Sequence, residues 1–397
     1  MRILHTSDWH IGKKIYDQSR MDEYSQFLEW LLDVIIEKRI DVLLVSGDVF
    51  DSSMPPAEAL DLYYRFLFDL HQRTNAHAVI IAGNHDSAVR LAAPRNFLKM
   101  ADIHVIGGIN GSIRDCVVNL DIGGQISAFA AVPYLNEGDI LSHVPLEVDI
   151  ERSQRYREAV KKVYLDCMSV MHEADIRILM GHYFIHGSTA SDTERHLQIG
   201  GIQSVQTYDL PQDVDYIALG HLHRPQQIPG NGCPIVYPGS PLPLSFKEAE
   251  YDKKVYLIDF KGKASEMREI IVPTFRELVR VEGTLDELKT RANFEDWKDK
   301  YIEVRVQLAG PQIGVGDEIR QAFADRGGRV LVVESMLLKT DGETISADGI
   351  KTRSPPEIFQ EYYNYRYGEN GFPEELDELL VTFNELLGMS YEGEAGD

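Results

Sequence analysis

Short apolar runs alternate with helical periodicity through the first two thirds of the chain. The runs Arg2–Thr6, Val42–Ser46, Ala78–Ala82, Ile126–Ala131, Ile176–Met180, Tyr216–Leu219 and Val255–Phe260 are the strand candidates. Several are β-branched without polar alternation, the pattern of strands covered on both faces. Between the first two, Phe27, Leu28, Leu31, Leu32 and Ile35 recur at helical spacing and predict a helix over Met21–Lys38. The alternation predicts an α/β layered domain with two sheets or one large one.

The pattern changes near Pro273. From Phe275 to Lys339 it reads strand, helix, strand, helix, strand, with helices at Leu285–Ala292 and Asp317–Asp325 and strands including Tyr301–Leu308 and Val330–Leu338. That is a small α+β unit. A loop, Thr340–Asp348, leads to a last segment with two amphipathic helix candidates. One begins at Pro355-Pro356, an N-terminal helix signal, and runs towards Tyr367. The other begins near Pro373 and carries Leu376, Leu379, Leu380, Phe383 and Leu387 on one face. The expected division is therefore 1–272, 273–342 and 343–397, in keeping with a length of 397 residues.

Charge complicates this picture. There are 63 acidic residues against 40 basic ones, a formal net charge of −23. Such a sum argues against a nucleic-acid partner unless a metal holds phosphate locally or a partner subunit supplies the basic surface. Cys116, Cys167 and Cys233 are widely spaced with no CxxC, which excludes a cysteine zinc site and a disulfide framework. Asp8 arrives before a signal-peptide core could form, and no run is long enough to span a bilayer. A soluble, cytoplasmic protein is expected.

Five short motifs each close an apolar run: Asp8-Trp9-His10, Gly47-Asp48-Val49-Phe50-Asp51, Gly83-Asn84-His85-Asp86, Gly181-His182 and Gly220-His221-Leu222-His223. Any one of them reads as an ordinary polar turn. As a set they differ, because side chains at the carboxyl ends of strands in an α/β sheet converge on one crevice. Together they offer an oxygen and nitrogen ligand set without sulfur, suited to Mn, Fe or Zn. Seven candidate ligands are too many for one ion and enough for two, which a shared carboxylate would hold roughly 3.5–4 Å apart.

In this order and spacing the motifs resemble those of the calcineurin-like metallophosphoesterases, from Asp8 to His223. Within that superfamily the chain is similar to the SbcD family of bacterial nucleases. The supporting runs are Arg2-Ile-Leu-His-Thr-Ser-Asp-Trp-His-Ile-Gly, Tyr216-Ile-Ala-Leu-Gly-His-Leu-His-Arg and Tyr237-Pro-Gly-Ser-Pro-Leu-Pro-Leu-Ser-Phe. The resemblance implies a metallophosphoesterase-type β-sandwich flanked by helices, followed by an α+β domain that caps the active site and by C-terminal helices. It implies one metal on Asp8, His10, Asp48 and His223 and a second on Asp48, Asn84, His182 and His221, with Asp48 as the bridge and Mn2+ as the ion. His85 would be catalytic, and Asp51 and Asp86 would orient histidines. His186 is not expected to be a ligand.

The family likeness also implies a 3′-to-5′ exonuclease on duplex DNA and an endonuclease on single-stranded or hairpin DNA, acting in repair, recombination and replication at the nucleoid. The implied partners are DNA and an SbcC-like ATPase, on whose coiled coil the C-terminal helices would dock. A homodimer within a heterotetramer is expected, formed through Leu60–Leu70 and Val89–Met100. The loop from Gly187 to Arg195, with Ser188 and Thr189, is a candidate DNA contact. Protein phosphatases carry Arg-Gly directly after the second motif, where this chain has Ser52 and Ser53. Two alternatives stay open: another phosphodiester substrate, or a mainly architectural protein that tethers DNA ends with weak catalysis.

Overall fold

The computed structural model describes residues 1–338 apart from 110–111, 145–149, 192, 195–203, 231, 311 and 313, and beyond them 344–345, 360, 363, 379–380 and 382–383. The chain forms two compact units, Met1–Leu278 and a second beginning at Val279.

The first unit holds twelve strands: β1 (Arg2–Thr6), β2 (Val42–Ser46), β3 (His77–Ile81), β4 (Ile103–Ile106), β5 (Val117–Ile122), β6 (Gln125–Ala131), β7 (Ile176–His182), β8 (Tyr216–Gly220), β9 (Gln226–Ile228), β10 (Ile235–Tyr237), β11 (Lys254–Lys261) and β12 (Ala264–Ile271). They make two six-stranded sheets, ordered β12-β11-β1-β2-β3-β4 and β5-β6-β7-β8-β10-β9. The strands that lead to the five motifs, β1, β2 and β3 in one sheet and β7 and β8 in the other, pair in parallel with one another within each sheet. Within each sheet their carboxyl ends therefore point the same way.

The β-branched runs are explained by what covers them. Ile3, Val42, Leu44, Val79 and Ile81 face the second sheet and pack in one core with Phe129, Ile178, Met180, Leu219 and Ile258. The alternate residues Leu4, Leu43, Val45 and Ile80 turn the other way, onto helices α1 (Met21–Lys38) and α2 (Ala57–Arg73), through Phe27, Leu31, Tyr63 and Leu67. Both faces are apolar, so polar alternation is absent. The expected β-sandwich is the observed fold, and its two sheets answer the choice between two and one. At the seam His5 on β1 is fully buried, 2.9 Å from Tyr216 Oη on β8 and 2.9 Å from Ser46 Oγ on β2. Burial lowers its pKa to about 3 and keeps it neutral.

Beyond α2, two short helices follow the third motif, α3 (Ala88–Ala92) and α4 (Arg95–Leu98). The stretch Val89–Met100 is thus divided, at Pro94, which has no backbone N–H to donate. Helices α5 (Glu137–His143) and α6 (Arg152–Val170) lie between β6 and β7. Tyr156, Val160, Val163 and Tyr164 of α6 join the inter-sheet core cluster.

The second unit orders its strands β13 (Leu278–Thr284), β14 (Tyr301–Leu308), β15 (Arg329–Leu338) and β16 (Thr344–Ile345) in that sequence. Helices α7 (Leu285–Phe294) and α8 (Val315–Ala324) cover it, burying Leu288, Ala292, Ile319 and Phe323 against Ile302, Val304 and Val306. Thr284 and Glu287 form a capping box at the start of α7. The C-terminal helices expected within 343–397 lie outside the described residues, save the few named above. Among the described residues no helix is long and apolar enough to cross a membrane.

Candidate metal centre

The loops leaving β1 and β2 travel side by side. Asp8 N–H donates to Gly47 O (3.0 Å), His10 N–H to Asp48 O (3.0 Å) and Ile11 N–H to Val49 O (2.9 Å). Trp9 anchors the turn from below. It is buried against Phe27 and Phe66 and donates its indole N–H to Thr6 Oγ1 (3.0 Å). The pairing sets Asp8 and His10 beside Asp48 at the crevice. The third loop comes in over Asp48, because a Cβ on Gly83 would stand 2.1 Å from Asp48 Oδ1. Only glycine permits that approach.

From these loops and from the ends of β7 and β8, the seven expected ligands converge. Asp48 Oδ2 lies 3.2 Å from His182 Nε2 and 3.6 Å from His10 Nε2. Asn84 Oδ1 lies 3.0 Å from His182 Nε2 and 3.1 Å from His221 Nδ1. Three groups have ligand atoms all within 4.8 Å of one another: Asp8 with His10 and His223, Asp8 with Asp48 and His182, and His10 with Asp51 and His85. His186 belongs to no such group among the described residues.

Two further observations mark the place as built for a ligand. His10 Nε2 is buried without a hydrogen-bond partner, while Nδ1 has the Asp51 carboxylate at 3.4 Å; an unmet buried polar group costs about 1–3 kcal/mol unless something else satisfies it. The backbone is also strained here. Asp8, His10, Asp48 and His221 have φ of 52°, 49°, 50° and 101°, the left-handed region that non-glycine residues avoid. A buried nitrogen with no donor to meet and carboxylates held at short range fit divalent cations.

Electrostatics follows from burial and the charges it traps. Burial lifts the Asp8 carboxyl to about 6 against the pull of His182 and His223. Burial acts the same way on Asp48, but His182, His10 and His85 outweigh it and hold that carboxyl well below the usual range. Burial would also discharge His182, yet Asp48 and Asp8 lift it to about 9. His223 rises to about 8 because Glu248 and Glu194 outweigh its burial. His10 and His221 are pushed down by burial to about 4 and about 3, so both are neutral and have a lone pair to give.

His85 stands at the rim. Its backbone N–H donates to Asp48 Oδ1 (2.8 Å), and its Nδ1–H donates to the carbonyl of Asp51 (2.9 Å). Its ring meets that of His10 edge-on, with centroids 4.8 Å apart. The Asp51 carboxylate lies 3.4 Å from His10 Nδ1 and 3.0 Å from Lys13 Nζ. Asp86, expected beside a histidine, instead accepts the backbone N–H groups of Gly83 (2.9 Å), Phe50 (2.9 Å) and Val49 (3.1 Å). It ties the second loop to the third and so sets His85 through the backbone.

Sequence reasoning missed four residues around His223: Thr193, Glu194, Glu248 and Lys253. Glu194 accepts the backbone N–H of His223, and Thr193 Oγ1 lies 2.7 Å from its Nδ1. Glu248 and Lys253 pair at 2.8 Å beneath them. The one signal in the sequence was the run ending in Phe246, which wraps Glu248: Leu244 N–H donates to Glu248 Oε2 (3.1 Å).

Comparison with known proteins is consistent with this geometry. Residues 1–225 match the calcineurin-like phosphoesterase family, and residues 274–367 match the type 5 capsule protein repressor C-terminal domain. The SbcD component of nuclease SbcCD from Escherichia coli K12 is 35% identical over 314 residues, covering 78% of this chain and 77% of that protein. The protein of the same name from Bacillus subtilis is 33% identical over 325 residues, covering 79% and 82%. That of Rhodobacter capsulatus is 36% identical over 287 residues, covering 69% of each. The chain belongs to the calcineurin-like phosphoesterase family and, within it, to the SbcD family of nuclease subunits.

Proposed function

From that membership we propose that the chain is the nuclease subunit of an SbcCD-type complex, cutting DNA by metal-assisted hydrolysis of phosphodiester bonds. It acts as a 3′-to-5′ exonuclease on duplex ends and as an endonuclease on single-stranded or hairpin DNA. Asp8, His10, Asp48 and His223 would hold one Mn2+, and Asp48, Asn84, His182 and His221 the other. The observation that carries the reading is the Asp48 carboxylate, set between His10 of one ligand group and His182 of the other. When bound, the two ions supply Lewis acidity, lowering the pKa of an attacking water and offsetting phosphate charge.

The chain's own residues orient the rest. Asp51 O takes the Nδ1–H of His85 and leaves Nε2 to face a phosphate. With the ring doubly protonated, Nε2–H would donate to a phosphorus oxygen and steady its developing charge, and that proton would pass to the leaving oxygen and leave a neutral imidazole with Nδ1–H still on Asp51 O. Asp86, through three backbone N–H groups, keeps the His85 loop from drifting. Residues 343–397 would dock on the coiled coil of an SbcC-like ATPase, whose surface would bring the DNA to a chain of charge −23. A homodimer forms through α2 and the α3–α4 stretch, where Phe68, Val89, Phe97 and Met100 are exposed.

The test is Mn2+-dependent cleavage of a labelled hairpin DNA by the wild-type chain and by Asp48→Asn, each with and without an SbcC-like ATPase. Cleavage by the wild-type complex and none by Asp48→Asn, with the partner still bound, is the expected result. Equal cleavage by both chains would sink the reading.

A further inference from the structure

The ligand histidines differ in what holds the nitrogen turned away from the centre. His182 uses a backbone carbonyl: its Nδ1–H donates to Ser46 O at 2.8 Å. His223 uses a relay of side chains. Its Nδ1 lies 2.7 Å from Thr193 Oγ1, which lies 2.6 Å from Glu248 Oε1, with the Glu194 and Glu248 carboxylates themselves farther from Nδ1, at 3.2 and 3.4 Å. The carboxylate only accepts, so the single hydroxyl proton of Thr193 goes to Glu248, and the Thr193 oxygen accepts from His223 Nδ1–H. That order leaves Nε2 of His223 as the nitrogen with a free lone pair.

Glu248 is fixed in turn. Its Oε1 accepts from Ser191 Oγ (3.1 Å) and its Oε2 from Lys253 Nζ (2.8 Å), Leu244 N–H (3.1 Å) and Ser240 Oγ (3.3 Å). Lys253 Nζ also donates to Ser240 Oγ (2.9 Å) and to the carbonyl of His223 (3.3 Å). Glu248 is 1% exposed and Lys253 6%. Burying such a pair is no gain over apolar packing of similar volume. Here it surrounds one candidate ligand and closes on both its ring and its carbonyl.

We propose that Thr193 and Glu248, with Lys253 as the counter-charge, are positioning residues that hold His223 with Nδ1 protonated and Nε2 presented, and so set the affinity of the metal position His223 serves. The inference rests on the two-metal reading above. It also couples that position to the loop after β7, because Ser191 and Thr193 both reach Glu248 while Glu194 takes the His223 backbone N–H. Partners of this kind commonly change metal affinity about 10–100-fold when removed.

The experiment is a Mn2+ titration of the full chain, reading the free-ion signal by electron paramagnetic resonance, for wild type, Thr193→Val, Thr193→Ala and Thr193→Ser. Thr193→Val keeps the shape and removes the relay. The wild type should bind two ions. Thr193→Val and Thr193→Ala should weaken one of the two by about 10–100-fold and leave the other unchanged. Thr193→Ser, which keeps the hydroxyl, should restore the wild-type isotherm. Wild-type affinities in a folded Thr193→Val or Thr193→Ala overturn the proposal, as does a folded Thr193→Ser that fails to restore binding. A wild-type chain that takes fewer than two ions overturns the two-metal reading and this proposal with it.

Discussion

Asp8, His10, Asp48 and Asn84 follow strands of the first sheet, whereas His182 ends one strand of the second and His221 and His223 follow another. The first group is fixed mainly by its own backbone. Its loops pair with one another, three of its members sit in the left-handed region, and Asp86 bonds to the main chain of both neighbouring loops. The second group depends on single groups supplied by other elements: Ser46 O for His182, Asp8 Oδ1 for the His221 N–H (2.9 Å), and the Thr193, Glu194 and Glu248 side chains for His223. One half of the centre is thus made by main-chain pairing between loops and the other chiefly by side-chain packing. Errors in the fold should reach the imidazole half first.

The sharpest way to break this division is at the seam. A Cβ on Gly220 would stand 1.9 Å from Ser46 O, and 2.9 Å from His182 Nδ1. Gly220→Ala must therefore push β8 away from β2, the carbonyl that His182 uses included. The expected cost is about 3 kcal/mol or more, with loss of metal binding, read by denaturant unfolding and a Mn2+ titration. Wild-type stability and binding in that variant would mean that the two sheets do not meet as closely as described.

The same contrast explains what the sequence could reveal. The five motifs are legible because each proposed ligand lies within a few residues of an apolar run that ends in a turn, so chemistry and fold share one short string. The long strands and α1 are legible for the same reason, with β1, β2 and α1 bounded as their periodicity predicts. Thr193, Glu194, Glu248 and Lys253 carry no such local mark. Their roles arise from a carboxylate, a hydroxyl and an ammonium brought together by loops after different strands. Strands β9 and β10, three residues each, are too short for any periodicity to register, and β12 is a largely exposed edge strand with the polar content of a loop.

A smaller effect isolates the backbone-built half. His85 touches Asp48 only through its main-chain N–H, so His85→Ala should leave both metal affinities near wild type while lowering turnover by about 10²–10⁴-fold. Single-turnover cleavage of a duplex end, run beside the metal titration, checks both halves of that statement. A parallel loss of metal would place His85 among the ligands instead.

The smallest effect belongs to the imidazole half and is set by pH. The folded-state pKa values of His182 and His223, about 9 and about 8, stand above the free value of 6.5. Their charged forms therefore stabilise the metal-free fold fully below pH 6.5, and that contribution drains away as pH rises through 8 and 9. With His182 and His223 as the proposed ligands, metal binding needs both imidazoles neutral and expels their protons. The rise in Tm on adding Mn2+ should accordingly widen from pH 6.5 to 9, with apparent affinity climbing towards about tenfold per pH unit for each proton displaced. A gap that is flat over this window would show that neither histidine holds a proton in the metal-free protein.

The most direct measurement is anomalous diffraction from crystals of the chain soaked in Mn2+. Two peaks roughly 3.5–4 Å apart, both within coordination distance of the Asp48 carboxylate, with His223 against one and His182 against the other, are the predicted result. A single peak, or two peaks of which one does not touch Asp48, would contradict the account.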